Sequence, residues 1–341
     1  MTKQISPIPS TPNTLERFDT LMDILTYRRP HGSDSELVCI AKYLDTIPGM
    51  TVDAFGNRIL DVGCPKDNRK PTTLFSCHTD TVHRTPGVQK ILFDESLNVI
   101  YVPQSSAGRL IPDEPLGADD GAGWWLLLQM IEAKIPGRYV FHRAEERGGQ
   151  GSDYIASSTP ELLEGIKRAV AFDRKGTKDI ITHQSYGECC SQAFAKALAE
   201  QLGMGHKPSS RGVFTDTANY VDLVPECTNV SIGYEHEHTA MEMLDLDYLG
   251  RLATRLLTVD WDALPTVRDP LAYDTHAAYD GTGWYKDEDI YDELCNEEPW
   301  VAAELLRMLK PSEWEIKEAH LRAGYPYPSW SSYDRADRND F

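Results

Sequence analysis

Residues 117–146 read GADDGAGWWLLLQMIEAKIPGRYVFHRAEE, and three different patterns follow one another within them. Gly117 to Gly123 is a glycine-rich turn carrying Asp119 and Asp120. Trp124 to Ala133 is an apolar helix long enough to cross a sheet face, and Arg138 to Arg143 is a β-prone run ending at Glu145 and Glu146. Upstream, Thr72 to Cys77 is a short strand that leads into His78, Thr79 and Asp80, and Phe55-Gly56-Asn57 is a hairpin signal between two extended runs. Leu15 to Thr26 and Ser35 to Ile47 have helical spacing, the second behind a cluster of capping residues at Gly32 to Ser35 with Glu36 in its first turn. Downstream, Gly151 to Ser157 opens a helix and Arg168 to Phe172 is a strand ending at Asp173. Gln192 to Leu202, Thr228 to Ile232 and Leu246 to Val259 continue as helix, strand and helix. This alternation predicts an α/β fold with helices on both faces of one sheet.

The acids and histidines fall at the ends of the predicted strands, where an α/β protein exposes its chemistry. In His78-Thr79-Asp80 the first and third side chains share a face of an extended segment, so Asp80 can orient the His78 imidazole. Asp119 and Asp120 would repel each other unless a cation sits beside them. Glu145-Glu146 before Arg147-Gly148-Gly149 allows one carboxylate to bind a metal while the other takes a proton from water. Asp173 closes another apolar strand, and of His236 and His238 the latter is preferred because His238-Thr239 and Glu242 lead toward a helix. Imidazole and carboxylate donors without thiolates suit a borderline or hard divalent ion, zinc first, with cobalt and manganese also fitting.

Composition narrows the classes. A chain of 341 residues with 41% hydrophobic content can bury a sizeable core, and a formal charge of −19 opposes nucleic acid and anionic lipid while favouring metal ions and ammonium groups. The polar, proline-containing start and the absence of a long apolar run point to a cytoplasmic protein that neither enters nor binds membranes. Seven cysteines, Cys39, Cys64, Cys77, Cys189, Cys190, Cys227 and Cys295, have no C-x-x-C pairing and read as free, mostly buried thiols. From about residue 260 the composition turns acidic and aromatic. Two regions are therefore expected, a catalytic domain over 1–259 and an extension over 260–341 that covers the cleft or serves association.

The ordered set H-x-D, G-A-D-D-x-A-G, E-E-x-G-x-x-G-S, F-D and H-T-x-x-E resembles the co-catalytic, two-metal zinc metallopeptidases, among them the peptidase T-like tripeptidases and single-domain zinc aminopeptidases. The resemblance covers residues 14–259. It implies a mixed, largely parallel central sheet and two divalent ions. His78, Asp119 and Asp173 would hold one ion and Asp119, Glu146 and His238 the other. Glu145 would be the general base activating a bridging hydroxide, and Asp80 would orient His78. It also implies a cis peptide between Asp119 and Asp120. Two divalent ions, three ligand carboxylates and one hydroxide together carry no net charge.

Many two-domain relatives insert a lid or dimerisation domain of roughly a hundred residues before the last histidine, whereas 238 − 173 leaves 65 positions here. That domain is expected to be absent, and with it the substrate-carboxylate groups it supplies. Aspartate at 173 resembles the aminopeptidase and dipeptidase pattern, and Gly212 to Ala218 resembles a T-D-A loop that makes Asp216 a candidate for substrate contact. The function expected is metal-dependent hydrolysis of short peptides by an aminopeptidase or a di- or tripeptidase. The alternatives are an amidohydrolase of N-acyl amino acids and a peptide-binding protein without catalysis, the last disfavoured because every expected ligand and the base are present.

Overall fold

A computed structural model describes residues 16–63, 70–103, 114–184 and 187–271. Its centre is an eight-stranded sheet made of β1 (Thr51–Val52), β2 (Arg58–Val62), β3 (Thr73–His78), β4 (Gly137–His142), β5 (Arg168–Arg174), β6 (Asp179–Ile181), β7 (Lys207–Ser209) and β8 (Glu226–Ser231). The spatial order is β7-β6-β8-β5-β3-β4-β2-β1. The four central strands run parallel; β2 and β6 pair antiparallel with β4 and β8, β7 runs alongside β6, and β1 turns back antiparallel to β2. The architecture is thus α/β with a mixed, mostly parallel sheet. Because β3, β4, β5 and β8 point the same way, their carboxyl ends share one edge, which is where such sheets place ligands.

Among the described residues six α-helices accompany the sheet: α1 (Asp19–Thr26), α2 (Asp34–Tyr43), α3 (Ala118–Glu132), α4 (Gln150–Ser158), α5 (Gln192–Leu202) and α6 (Leu246–Leu256). Both faces are covered, as adjacent residues of β4 show. Phe141 meets Trp124 of α3 edge-on, while His142, pointing the other way, meets Tyr220 of a 3-10 segment over Asp216–Tyr220. Trp124 and Trp125 are fully buried, so α3 is apolar because it is enclosed, not because it spans a membrane. No described helix is long and apolar enough to cross one. Gly123 has a packing reason: a Cβ there would collide with the Phe172 carbonyl oxygen and the Asp120 carboxylate.

Where local chemistry is strong, the elements follow it. Ser33 caps α2 by accepting from Glu36 N, Ser191 caps α5 and Asp245 caps α6. The helix expected over 124–133 begins earlier, at Ala118, because the acidic turn winds directly into it, with Asp119 and Asp120 held out of helical geometry. Among the described residues no separate domain interrupts the chain between Asp173 and His238: β6, α5, β7 and β8 all belong to the main unit. That compact unit runs to Leu271, past the expected boundary at 259, since Trp261 packs edge-on against Phe75 in the core. The remainder of the expected acidic and aromatic extension lies outside the described residues. The five described cysteines are free and buried; Cys64 and Cys295 are outside the description.

A buried histidine makes stability pH-dependent. His83 bonds through Nδ1 to Thr81 Oγ1 at 2.5 Å and through Nε2 to the Pro115 carbonyl at 3.0 Å. Burial first, and the nearby Arg29 charge second, push its pKa from 6.5 down to about 4. Between these values the unfolded chain binds more protons than the folded one. The stabilisation is therefore complete above about pH 6.5 and is lost as pH falls toward 4, by roughly 3 kcal/mol in full. Urea unfolding at pH 7.5 and pH 4.5 should show a smaller pH-dependent loss for His83→Gln than for the wild type. Identical losses would contradict this account.

Candidate metal centre

His78 ends β3, opposite His142 at the end of β4, and is fully buried. Its Nδ1 donates to the Asp80 carbonyl oxygen at 3.0 Å, which leaves Nε2 as the free donor atom of the ring. Nε2 lies 3.1 Å from Asp119 Oδ1, 3.5 Å from Asp173 Oδ1 and 4.0 Å from Glu145 Oε2. On the other side of Asp119, Oδ2 lies 3.0 Å from His238 Nε2, which is also 3.1 Å from Glu146 Oε1. Two donor groups result, His78–Asp119–Asp173 and Asp119–Glu146–His238, each with its atoms within 4.8 Å of one another, and Asp119 belongs to both. His78, Glu145 and Glu146 form a third such group, so both glutamates face the same space.

Each arm is delivered by a constrained piece of chain. Ala144 and His238 sit in the left-handed region, at φ 61° and 64°, where non-glycine residues are uncommon, and the Asp119–Asp120 peptide is cis. Asp120 turns inward: its carboxylate accepts from His78 N and Gly123 N, tying β3 to α3. Asp173 accepts from Thr215 Oγ1 at 2.6 Å and Tyr234 OH at 3.2 Å, and Asn229 brackets its backbone on both sides.

The electrostatics are those of an acidic cluster that requires cations. Burial disfavours the ionised form of Asp119, but hydrogen bonds from His238 and His78 hold its carboxyl below the usual range. His238 is pushed up to about 11 by its bonds to Asp119 and Glu146. Burial opposes a charge on His78, yet the Asp119 and Asp173 carboxylates raise its pKa well above the ordinary value. Burial and the Asp119 charge raise Asp173 to about 7, and burial is the largest cause holding Glu145 well above the carboxylate range. Protons on two imidazoles thus balance the carboxylates, a role that divalent ions fill with neutral imidazoles as ligands. Two imidazole nitrogens and three carboxylates around one shared aspartate fit two such ions.

Asp80 and Asp216 lie as follows. Asp80 orients His78 through its main-chain carbonyl; its carboxylate oxygen stands 3.7 Å from Nδ1 and instead accepts from Glu145 N at 3.1 Å, steadying the glutamate turn. Asp216 is only 1% exposed and faces inward, 3.2 Å from His142 Nδ1. Its neighbour Thr215 takes the position facing Asp173, and the next side chain along the chain turns into the interior. His142 belongs to that inner layer with Ser76, Asp216 and Tyr220.

Glu242 and Arg29 were not assigned a part by the sequence. Buried Glu242 accepts from Gly117 N and Asp119 N, both at 2.9 Å, so it joins the segment that follows His238 to the turn that carries Asp119. Arg29, also fully buried, donates to the carbonyls of Thr79 and Gly117 and clamps the loop that follows His78 to that same turn. The spacing of Glu242 in His-Thr-x-x-Glu was the available signal; Arg29 gave none. If Glu242 positions Asp119, Glu242→Ala should weaken metal affinity about 10–100-fold by isothermal titration calorimetry. Wild-type affinity in that variant would remove it from this role.

The cleft above the centre has a volume of about 340 Å³, with Asp119, Glu145, Asp173 and His238 on its wall. No protein-family description matches the sequence, and no curated protein matches it. Solved structures do. An aminopeptidase from Bacillus cereus shares 14% identity over 72% of this chain and 97% of its own, with a TM-score of 0.56. A tripeptidase from Staphylococcus aureus shares 15% identity over the same fractions with a TM-score of 0.55, and an aminopeptidase from the archaeon Desulfurococcus kamchatkensis shares 13% over 72% and 94%, with 0.50. The likeness is one of fold, and it spans nearly the whole of each of those chains.

Proposed function

We propose that this chain is a metal-dependent exopeptidase, an aminopeptidase or a di- or tripeptidase acting on short peptides. The carrying observation is the pair of donor groups that share Asp119, with Glu145 at their edge. His78, Asp119 and Asp173 would hold one divalent ion and Asp119, Glu146 and His238 the other, zinc being the ion these donors suit best. When bound, the ions would supply Lewis acidity that lowers the pKa of water and stabilises charge developing on the carbonyl oxygen.

The protein's own groups do the rest. Glu145 is held by the Asp80 carboxylate at its amide and takes a proton from the attacking water, then returns it to the leaving nitrogen. Glu146 stays a ligand because it is the glutamate paired with His238. Asp80, through its carbonyl, keeps the His78 Nε2 lone pair directed at the centre. The formal charge of −19 on the chain favours a substrate ammonium, consistent with peptides that have a free amino terminus. The fold it shares with solved aminopeptidases and a tripeptidase supports the same reading.

Amino-acid p-nitroanilides and dipeptides, assayed with zinc, cobalt or manganese, test this. Hydrolysis of free-amine substrates is expected. Inactivity on all of them with metal bound would reject it, and activity confined to N-acetylated substrates would select an amidohydrolase instead.

A further inference from the structure

Beyond the metal residues the cleft is walled by β6 and the loop before Asp216. Thr215 is bonded to Asp173, and the preceding Phe214 lies over the glutamate turn, where a Cβ on Gly149 would come within 2.5 Å of its ring. The loop therefore reaches from a proposed metal ligand to the segment carrying Glu145 and Glu146. Behind it, Gly212 packs so tightly on Ile181 and the His183 carbonyl that no side chain fits, and Gln184 lies against the same spot. Ile181, Gln184, Gly212 and Phe214 form a continuous uncharged wall beside the reacting centre.

The cations that also line the cleft are already engaged. Lys175 pairs with Glu237 at 2.6 Å, and Arg174 pairs with Asp179 at 3.2 Å and donates to the Arg211 carbonyl. Buried Gln184 donates its amide to Thr217 Oγ1 and Cys189 Sγ, and its neutral oxygen, also buried, has no partner among the described residues. A charged side chain against this wall would lose hydration without gaining a counter-ion, whereas an apolar one would bury its surface.

We infer that this wall is the side-chain subsite, and that it selects peptides whose first residue carries an uncharged, mainly apolar side chain over those beginning with an acidic or basic one. The inference rests on the peptidase reading above. On the metal-loaded full chain, kcat/KM for leucyl, methionyl and phenylalanyl p-nitroanilides should exceed that for glutamyl and lysyl ones at least tenfold. Gln184→Glu should raise the lysyl-to-leucyl ratio at least tenfold while metal content stays unchanged. Should that variant fail to fold, Val213→Glu, on the exposed rim of the same wall, carries the same charge test, with the ratio moving in the same direction. Glutamyl or lysyl substrates cleaved as well as leucyl ones, or a ratio unmoved by the introduced carboxylate, would overturn the assignment. If no aminoacyl substrate is cleaved with metal bound, the peptidase reading fails and the subsite falls with it.

Discussion

Glu145→Gln is expected to lower kcat by about 10²–10⁴-fold while leaving metal content at the wild-type level. The amide keeps the size of the side chain and can neither accept a proton from water nor pass one to a leaving nitrogen. The position makes the separation possible. Glu145 stands 4.0 Å from His78 Nε2, farther than Asp119 or Asp173, and its backbone is held independently by the Asp80 carboxylate. Burial first, then the surrounding carboxylates, keep its affinity for a proton high, as a proton carrier needs. Substituting the adjacent Glu146, which contacts His238 at 3.1 Å, should instead change metal occupancy. Unchanged turnover in Glu145→Gln would remove that residue from proton transfer. Loss of metal together with activity would make it a ligand.

Asp119→Ala has the broadest consequence. Asp119 reaches His78 with one carboxylate oxygen and His238 with the other, so the substitution takes a donor from both groups at once. The affinity of both positions should fall by more than about 100-fold, beyond what outer partners contribute, and turnover should fall to background. His238→Ala should damage only the second group, because His78 and Asp173 do not depend on it; its half-exposed side chain also makes that position the easier to empty. Thermal melts give an independent reading. Metal at 100 times its Kd should stabilise the wild type by about 2.7 kcal/mol per site and leave Asp119→Ala unmoved. Equal stabilisation of the two proteins would contradict the shared role of Asp119.

Much of this was legible in the sequence because strand ends announce themselves locally. Apolar runs that stop at His78, at the Glu145–Glu146 pair and at Asp173 place those groups on one sheet edge as soon as β3, β4 and β5 are parallel, and the structure brings all five proposed ligands together there. What was not legible depends on partners far along the chain. Nothing within a few residues of Asp80 tells that its carboxylate bonds to Glu145 N, 65 positions away. Glu242 and Gly117 are separated by 125 positions and Arg29 and Gly117 by 88. The loop at 212–218 was located by its pattern, but which of Thr215 and Asp216 faces Asp173 is set by one hydrogen bond from far along the chain. The three-residue strands β6 and β7 carry no periodicity long enough to register, and Pro208 in β7 is tolerated only because that strand lies at the sheet edge.

Anomalous diffraction from zinc-loaded crystals tests the central claim most directly. Two peaks are predicted on either side of Asp119, about 3.5–4 Å apart, one within reach of His78 and Asp173 and the other of Glu146 and His238. A single peak, or full zinc occupancy at residues other than these five, would contradict it.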